Sequence, residues 1–189
     1  MVIAIVVVLA VVVVAGVSFA LLYNHLVRLR NKVDNAWHQI DVQLKRRYDL
    51  LPELARVVKG YAAHEKETFE AVTRARAEAM SAPSVAAQGP AEDNLTGAAG
   101  NLVALVEKYP DLKANQEFLE YQKELATSEA RIAGARKYYN GSVMYYDNAR
   151  QGFPGSIVAK LFSGSFTGRD YFEIKDAADR EVPEASVQG

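Results

Sequence analysis

Residues 2 to 23, VIAIVVVLAVVVVAGVSFALLY, hold no charged side chain and one small hydroxyl residue, Ser18. A run of about 20 apolar residues is long enough to cross the hydrocarbon core as a helix. Beyond it the apolar pattern turns periodic: Leu26, Leu29, Val33, Ala36, Ile40, Leu44 and Leu51 recur mostly at steps of three and four. That spacing marks one face of a helix, and no breaker separates it from the apolar run. One helix is therefore expected to leave the bilayer without a linker. Pro52 interrupts the pattern inside RRYDLLPEL, where no Gly, Asn or Ser supplies a loop. A proline in such company kinks a helix more readily than it ends one, although Asp49 offers a cap for a restart. The periodicity resumes through Leu54, Val58, Tyr61, Phe69, Val72 and Ala79.

Residues 81 to 94, SAPSVAAQGPAEDN, change character, with two prolines, a glycine and no aromatic. They read as a mobile loop. Leu95, Ala98, Leu102, Leu105 and Tyr109 then predict a short helix stopped at Pro110, where Asp111 can cap the next. From Leu112 an apolar stripe runs through Leu119, Leu125, Ile132, Ala135, Tyr139, Val143, Tyr146 and Phe153. It predicts a helix of about 40 residues, near 60 Å long. Within it lies YYNGSVMYY, whose Asn140-Gly141 is a strong hairpin signal. A two-residue turn there would pair Tyr139 with Ser142 and Tyr138 with Val143. A helix instead stacks Tyr138 over Tyr145 and Tyr139 over Tyr146, in register with Ile132 and Phe153, so the helix is expected. Pro154-Gly155 stops it, and the chain after Phe166 reads as a tail. The expected fold is all-α: a transmembrane anchor over 1–24, an antiparallel bundle of long helices over 25–165 with its mobile loop at 81–94, and a tail over 166–189.

Composition narrows the chemistry. The net charge of −1 over 189 residues gives no electrostatic reason to expect nucleic acid. The absence of cysteine removes disulfides, thiolate metal sites and cysteine nucleophiles together. His64-Glu65 begins like a zinc protease motif, but the second histidine is replaced by Thr68. No phosphate-binding glycine loop or nucleophile elbow occurs, and Glu117, Glu120, Glu124 and Glu129 fall along a helix as a solvated face does. Neither catalytic residues, nor metal ligands, nor a cofactor are expected.

Two basic groups stand out. Arg28, Arg30 and Lys32 follow the apolar run, while no Lys or Arg precedes it. Their position places the N-terminus outside and the remainder in the cytoplasm, and favours a retained anchor over a cleaved leader. With Tyr23 and His25 they form the expected contact with lipid headgroups. Lys45-Arg46-Arg47 lies about 20 residues further on, about 30 Å along a helix and beyond the Debye length from the bilayer. It reads as a solvated face or as a contact for a partner. Tyr138 and Tyr145 join it as a candidate interaction surface, and Trp37 reads as core or interface anchor.

Residues 30 to 79, opening RNKVDNAWHQIDVQLKRRYDLLPEL, closely resemble the start of the soluble domain of the bacterial LemA family. The similarity resumes in NLVALVEKYPDLKANQEFLEYQKEL at 101–125 and ARKYYNGSVMYYDNARQGFP at 135–154. Asp49-Leu50-Leu51-Pro52 and Tyr109-Pro110-Asp111-Leu112 are its most distinctive pieces, and Gly141 and Met144 depart from it. The resemblance implies a membrane-anchored antiparallel helical bundle without known catalytic residues. It also implies neighbours among membrane metalloproteases and, in magnetosome-associated relatives, a part in shaping membranes. The function expected is that of a non-enzymatic, self-associating scaffold on the cytoplasmic face of a bacterial inner membrane. The alternatives are a module that binds or remodels anionic bilayers, and an adaptor of a membrane protease.

Overall fold

The computed structural model of the chain describes residues 1–173, all of them in helices or short connections with no strand among them. Its helices are α1 (Val2–Lys59), α2 (Lys66–Met80), α3 (Val85–Ala104), α4 (Pro110–Lys113), α5 (Gln116–Gln151) and α6 (Gly155–Leu161), with a 3-10 turn at Leu105–Glu107. The fold is all-α, and α1 carries the apolar run directly into the bundle. In α1 the most apolar window has a mean hydropathy of 3.2 and none of it is buried within the protein. Lipid is the solvent such a surface requires.

The chain forms two compact units: Met1–Val42 with Ile132–Asp170, and Gln43–Arg131 with residues 171–173. In the first unit, Leu26, Val33, Ala36 and Ile40 of α1 and Ile132, Tyr139, Val143 and Tyr146 of α5 are buried. Trp37 lies half-buried, edge-on to Tyr139 at 5.4 Å between ring centroids. In the second unit, Arg46 pairs with Glu124 at 3.5 Å and Arg56 with Glu117 at 2.5 Å. Residue numbers rise along α1 as they fall along α5, so the pairing is antiparallel.

Pro52 stays inside α1 for an identifiable reason. A proline has no N–H, so the carbonyl four residues back loses its helical donor. That carbonyl belongs to Tyr48, and Arg76 Nε of α2 donates to it at 2.7 Å. Leu51 and Leu54 are buried on either side, which holds the helix in place through the gap. Past Lys59 the expected continuity fails, because Gly60 opens a short irregular passage before α2.

The mobile loop expected over 81–94 is corrected: the chain turns only until Ser84, whose Oγ accepts from Ala87 N at 3.2 Å and caps α3. Gln88, Glu92, Leu95, Ala99 and Leu102 then bury one face of α3, and this burial overrides Gly89 and Pro90. Gly89 itself lies so close to Glu173 that an added Cβ would come within 1.8 Å of its carbonyl oxygen. Asp111 caps nothing; it stands in the first turn of α4, which begins at Pro110. The cap of α5 is Asn115, whose Oδ1 accepts from Phe118 N at 2.8 Å.

Asn140-Gly141 is helical, with no glycine at positive φ among the described residues. The stripe ends sooner than expected, since Phe153 is exposed. Residues 166–173 are also no free tail. Phe166 and Phe172 are buried, and the Tyr139 and Tyr146 hydroxyls donate to the carbonyls of Asp170 at 2.8 Å and Thr167 at 2.9 Å. The rest of the expected tail, 174–189, lies outside the described residues.

The Pro52 arrangement predicts an unusual rescue. Arg76→Leu leaves the Tyr48 carbonyl without a donor and is expected to cost about 1–3 kcal/mol in denaturant unfolding. In a Pro52→Ala background the helix supplies its own N–H, so the same substitution should cost much less. Equal losses in both backgrounds would refute the account.

Candidate functional site

The residues singled out by sequence fall in two places. In the first unit, His25, Arg28 and Lys32 are exposed beyond the apolar run, as a headgroup contact requires. Tyr23 has protein partners as well, lying edge-on to Phe162 at 5.0 Å and Phe166 at 5.4 Å. Arg30 turns partly inward, and its Nη1 donates to the Ser165 carbonyl at 3.2 Å. It ties down the segment after α6, a role the sequence did not show. His25 also lines a cavity of about 200 Å³ with Leu22, Asn148, Phe153 and Pro154.

Along α5 the tyrosines divide by face. Tyr139 and Tyr146 are core, and Tyr138 and Tyr145 are exposed. Lys32 Nζ stands 5.6 Å from the centre of the Tyr138 ring, in range for a cation–π contact. Gly134 and Gly141 have nothing within 4 Å of where a Cβ would be. Steps of four, three and four place Gly134, Tyr138, Gly141 and Tyr145 on one face. The result is a ridge of tyrosine rings alternating with bare backbone.

In the second unit, Lys45 and Arg46 are exposed, whereas Arg47 is only 2% exposed. Its assignment to an interaction surface is corrected. Arg47 Nη1 meets Glu92 Oε2 at 3.2 Å, and Nη2 meets Thr96 Oγ1 at 2.8 Å and Glu129 Oε1 at 3.5 Å. The Tyr48 hydroxyl donates to the other oxygen of Glu92. Gln88 Nε2 lies 2.9 Å from both that oxygen and the Tyr48 hydroxyl, and 3.0 Å from the Ala79 carbonyl. Glu92 is fully buried, with both carboxylate oxygens held by donors. A carboxylate so occupied is suited to clamp α1 to α3 rather than to move protons. Sequence reasoning missed it because Glu92 lay in a stretch read as loop; the signal present was the spacing Gln88, Glu92, Leu95, Ala99, Leu102.

Burial, and then the Glu92 carboxylate, push the Tyr48 hydroxyl well above the usual tyrosine range. Burial likewise pushes Tyr139 up to about 12 and raises Tyr146. A group whose pKa is higher folded than unfolded stabilises the fold below its unfolded value, and that stabilisation is lost as pH rises.

Two outcomes follow. The contribution of Tyr139 should be complete below about pH 10 and disappear towards about pH 12. Alkaline titration should therefore show the buried tyrosines ionising together with loss of helix; ionisation of every tyrosine with the helix content intact would contradict this burial. For the clamp, Glu92→Leu alone should cost about 3–5 kcal/mol by removing the buried carboxylate of the Arg47 pair and leaving only the partly exposed Glu129. Arg47→Met with Glu92→Leu should cost less than Glu92→Leu alone, measured by denaturant unfolding.

Comparison with known proteins bears on the whole arrangement. A model of the LemA family matches residues 36–187. Protein LemA of Metamycoplasma hominis is 31% identical over 119 residues, which cover 62% of this chain and 54% of that protein. Magnetosome protein MamQ of Magnetospirillum gryphiswaldense is 24% identical over 186 residues, 85% of this chain and 68% of that protein. Magnetosome protein MamQ 2 of Paramagnetospirillum magneticum matches to the same extent, 24% over 186 residues. The chain thus spans about half the length of the mycoplasma relative. The family match begins inside α1 and takes in α2 to α6 with their connections: this chain belongs to the LemA family.

Proposed function

We propose that this chain is a non-enzymatic, membrane-anchored scaffold that presents its helical bundle to a partner on the cytoplasmic face of a bacterial inner membrane. The observation that carries the reading is the exposed ridge on α5. Tyr138 and Tyr145 offer large rings at low entropic cost, and Gly134 and Gly141 between them leave room for the side chains of an approaching helix. Met144 is exposed beside them and adds an adaptable apolar contact. A second copy of the chain is the first partner to test, because this ridge has both the projections and the recesses that two like helices exchange. A membrane protease is the other. The engagement of Glu92 on both oxygens supports the absence of catalysis at the bundle's buried acid. Arg28, Arg30 and Lys32 directly after the apolar run support a cytoplasmic bundle.

A second reading rests on the exposure of Arg28 and Lys32 beside the span. Each could gain about 1 kcal/mol from anionic lipid, which would make the chain a bilayer-binding module.

Photocrosslinking from position 145 in native membranes separates these readings. The scaffold predicts a defined dimer or heteromeric adduct, reduced at least tenfold by Tyr138→Glu with Gly141→Leu. Monomer alone, with no adduct of any kind, would sink it. Loss of anionic-vesicle clustering in Arg28→Gln/Lys32→Gln would instead favour the bilayer module.

A further inference from the structure

The short helix α6 is apolar on both of its faces. Gly155, Val158 and Ala159 face inward and are buried. On the outer side, Ile157 is 56% exposed and Leu161 68%, one helical step of four apart and so on one line, and Phe153 in the turn before the helix is 84% exposed. A helix whose inner side is already packed keeps its outer side polar in water, so apolar residues lined up there mark contact with lipid or protein.

The direction of α6 shows which. At its start, a Cβ added to Gly155 would lie 4.0 Å from Leu26 Cδ2 of α1. Just past its end, Phe162 meets Tyr23 at 5.0 Å and Phe19 at 6.2 Å. The helix therefore descends along α1, from the first buried turn of the bundle to the last turns of the apolar run. Tyr23 and Phe19 mark the level at which that run leaves the hydrocarbon. The outward pair of Ile157 and Leu161 is continuous with this lipid-facing surface. Arg30 and Tyr146 hold the chain just after α6 through the carbonyls of Ser165 and Thr167, so its placement is tied to α1 and α5.

We propose that α6 is a second membrane contact: an interfacial wedge whose Ile157 and Leu161 enter the headgroup–acyl boundary of the leaflet from which α1 emerges. Helices that lie in this boundary insert their apolar face about 5–10 Å. The exposed Lys160 beside Leu161 can extend its amine to the headgroups while its stem remains among them. The wedge widens the footprint of a single-span anchor on one leaflet alone. It requires only the apolar span, so a chain that proves monomeric would leave this inference standing.

The chain has no cysteine, which makes single-cysteine labelling specific. The full chain is reconstituted in phosphatidylcholine/phosphatidylglycerol nanodiscs with an environment-sensitive fluorophore at Phe153→Cys, Ile157→Cys, Leu161→Cys or, as reference, Lys137→Cys. Nitroxide carried at a shallow acyl position is expected to quench the labels at 157 and 161 at least threefold more than the label at 137, with blue-shifted emission. All four positions are exposed, and circular dichroism of each labelled chain verifies its helix content. Quenching at 157 and 161 no greater than at 137 overturns the proposal. Blue-shifted emission without lipid quenching does so too, because it shows the line covered by protein, either a second copy or another partner.

Discussion

The buried charge of Arg47 is the constraint around which the second unit is arranged. A guanidinium removed from water must be matched by acceptors close at hand, or the fold loses several kcal/mol. Glu92 and Thr96 of α3 supply two of them and Glu129 of α5 a third. The neighbouring Tyr48 adds two links, its hydroxyl to Glu92 and its carbonyl to Arg76 of α2. One turn of α1 thus reaches α2, α3 and α5 through polar contacts with directional geometry. Apolar packing would accept several rotations of these helices, but this set of hydrogen bonds accepts far fewer.

The same turn explains how α1 tolerates Pro52. Interior proline breaks helices because it orphans a carbonyl and crowds the preceding turn. Here the orphan has an arginine donor from another helix, and the ring points away from the core. The two features that most threaten this stretch, a charge to bury and a missing donor, are both resolved by α2 and α3.

In the first unit the demands come from solvent. The most apolar stretch of the run is unburied and needs lipid, whereas Phe19 and Tyr23 near its end and Arg30 beyond it bind the returning chain. The tyrosine hydroxyls of α5 do likewise, each ending on a backbone carbonyl of residues 167–170. The surface next to the apolar run is polar where α1 bears its basic residues and apolar at Ile157 and Leu161 of α6.

The apolar run, the helical character of α1 and α5, the helix through Asn140-Gly141 and the core places of Tyr139 and Tyr146 were legible by periodicity alone. Each rests on a repeated local choice, so many residues agree on one answer. The exposure of Lys45 and Arg46 was legible for the same reason, whereas periodicity left Tyr138 and Tyr145 open between core and surface. The helix α3, the burial of Arg47 and the docking of residues 166–173 were not. In each case local chemistry favours a loop, a solvated charge or a tail. Residues distant in sequence reverse that preference: Glu92 lies 45 positions from Arg47, and Asp170 lies 31 from Tyr139. The sequence by itself determined which segments are helical over long runs and which must meet lipid, because those follow from the spacing of apolar side chains. Only the tertiary structure decided where single polar groups find their partners, because a charge or an orphaned carbonyl is satisfied by whatever the fold places within about 3 Å of it.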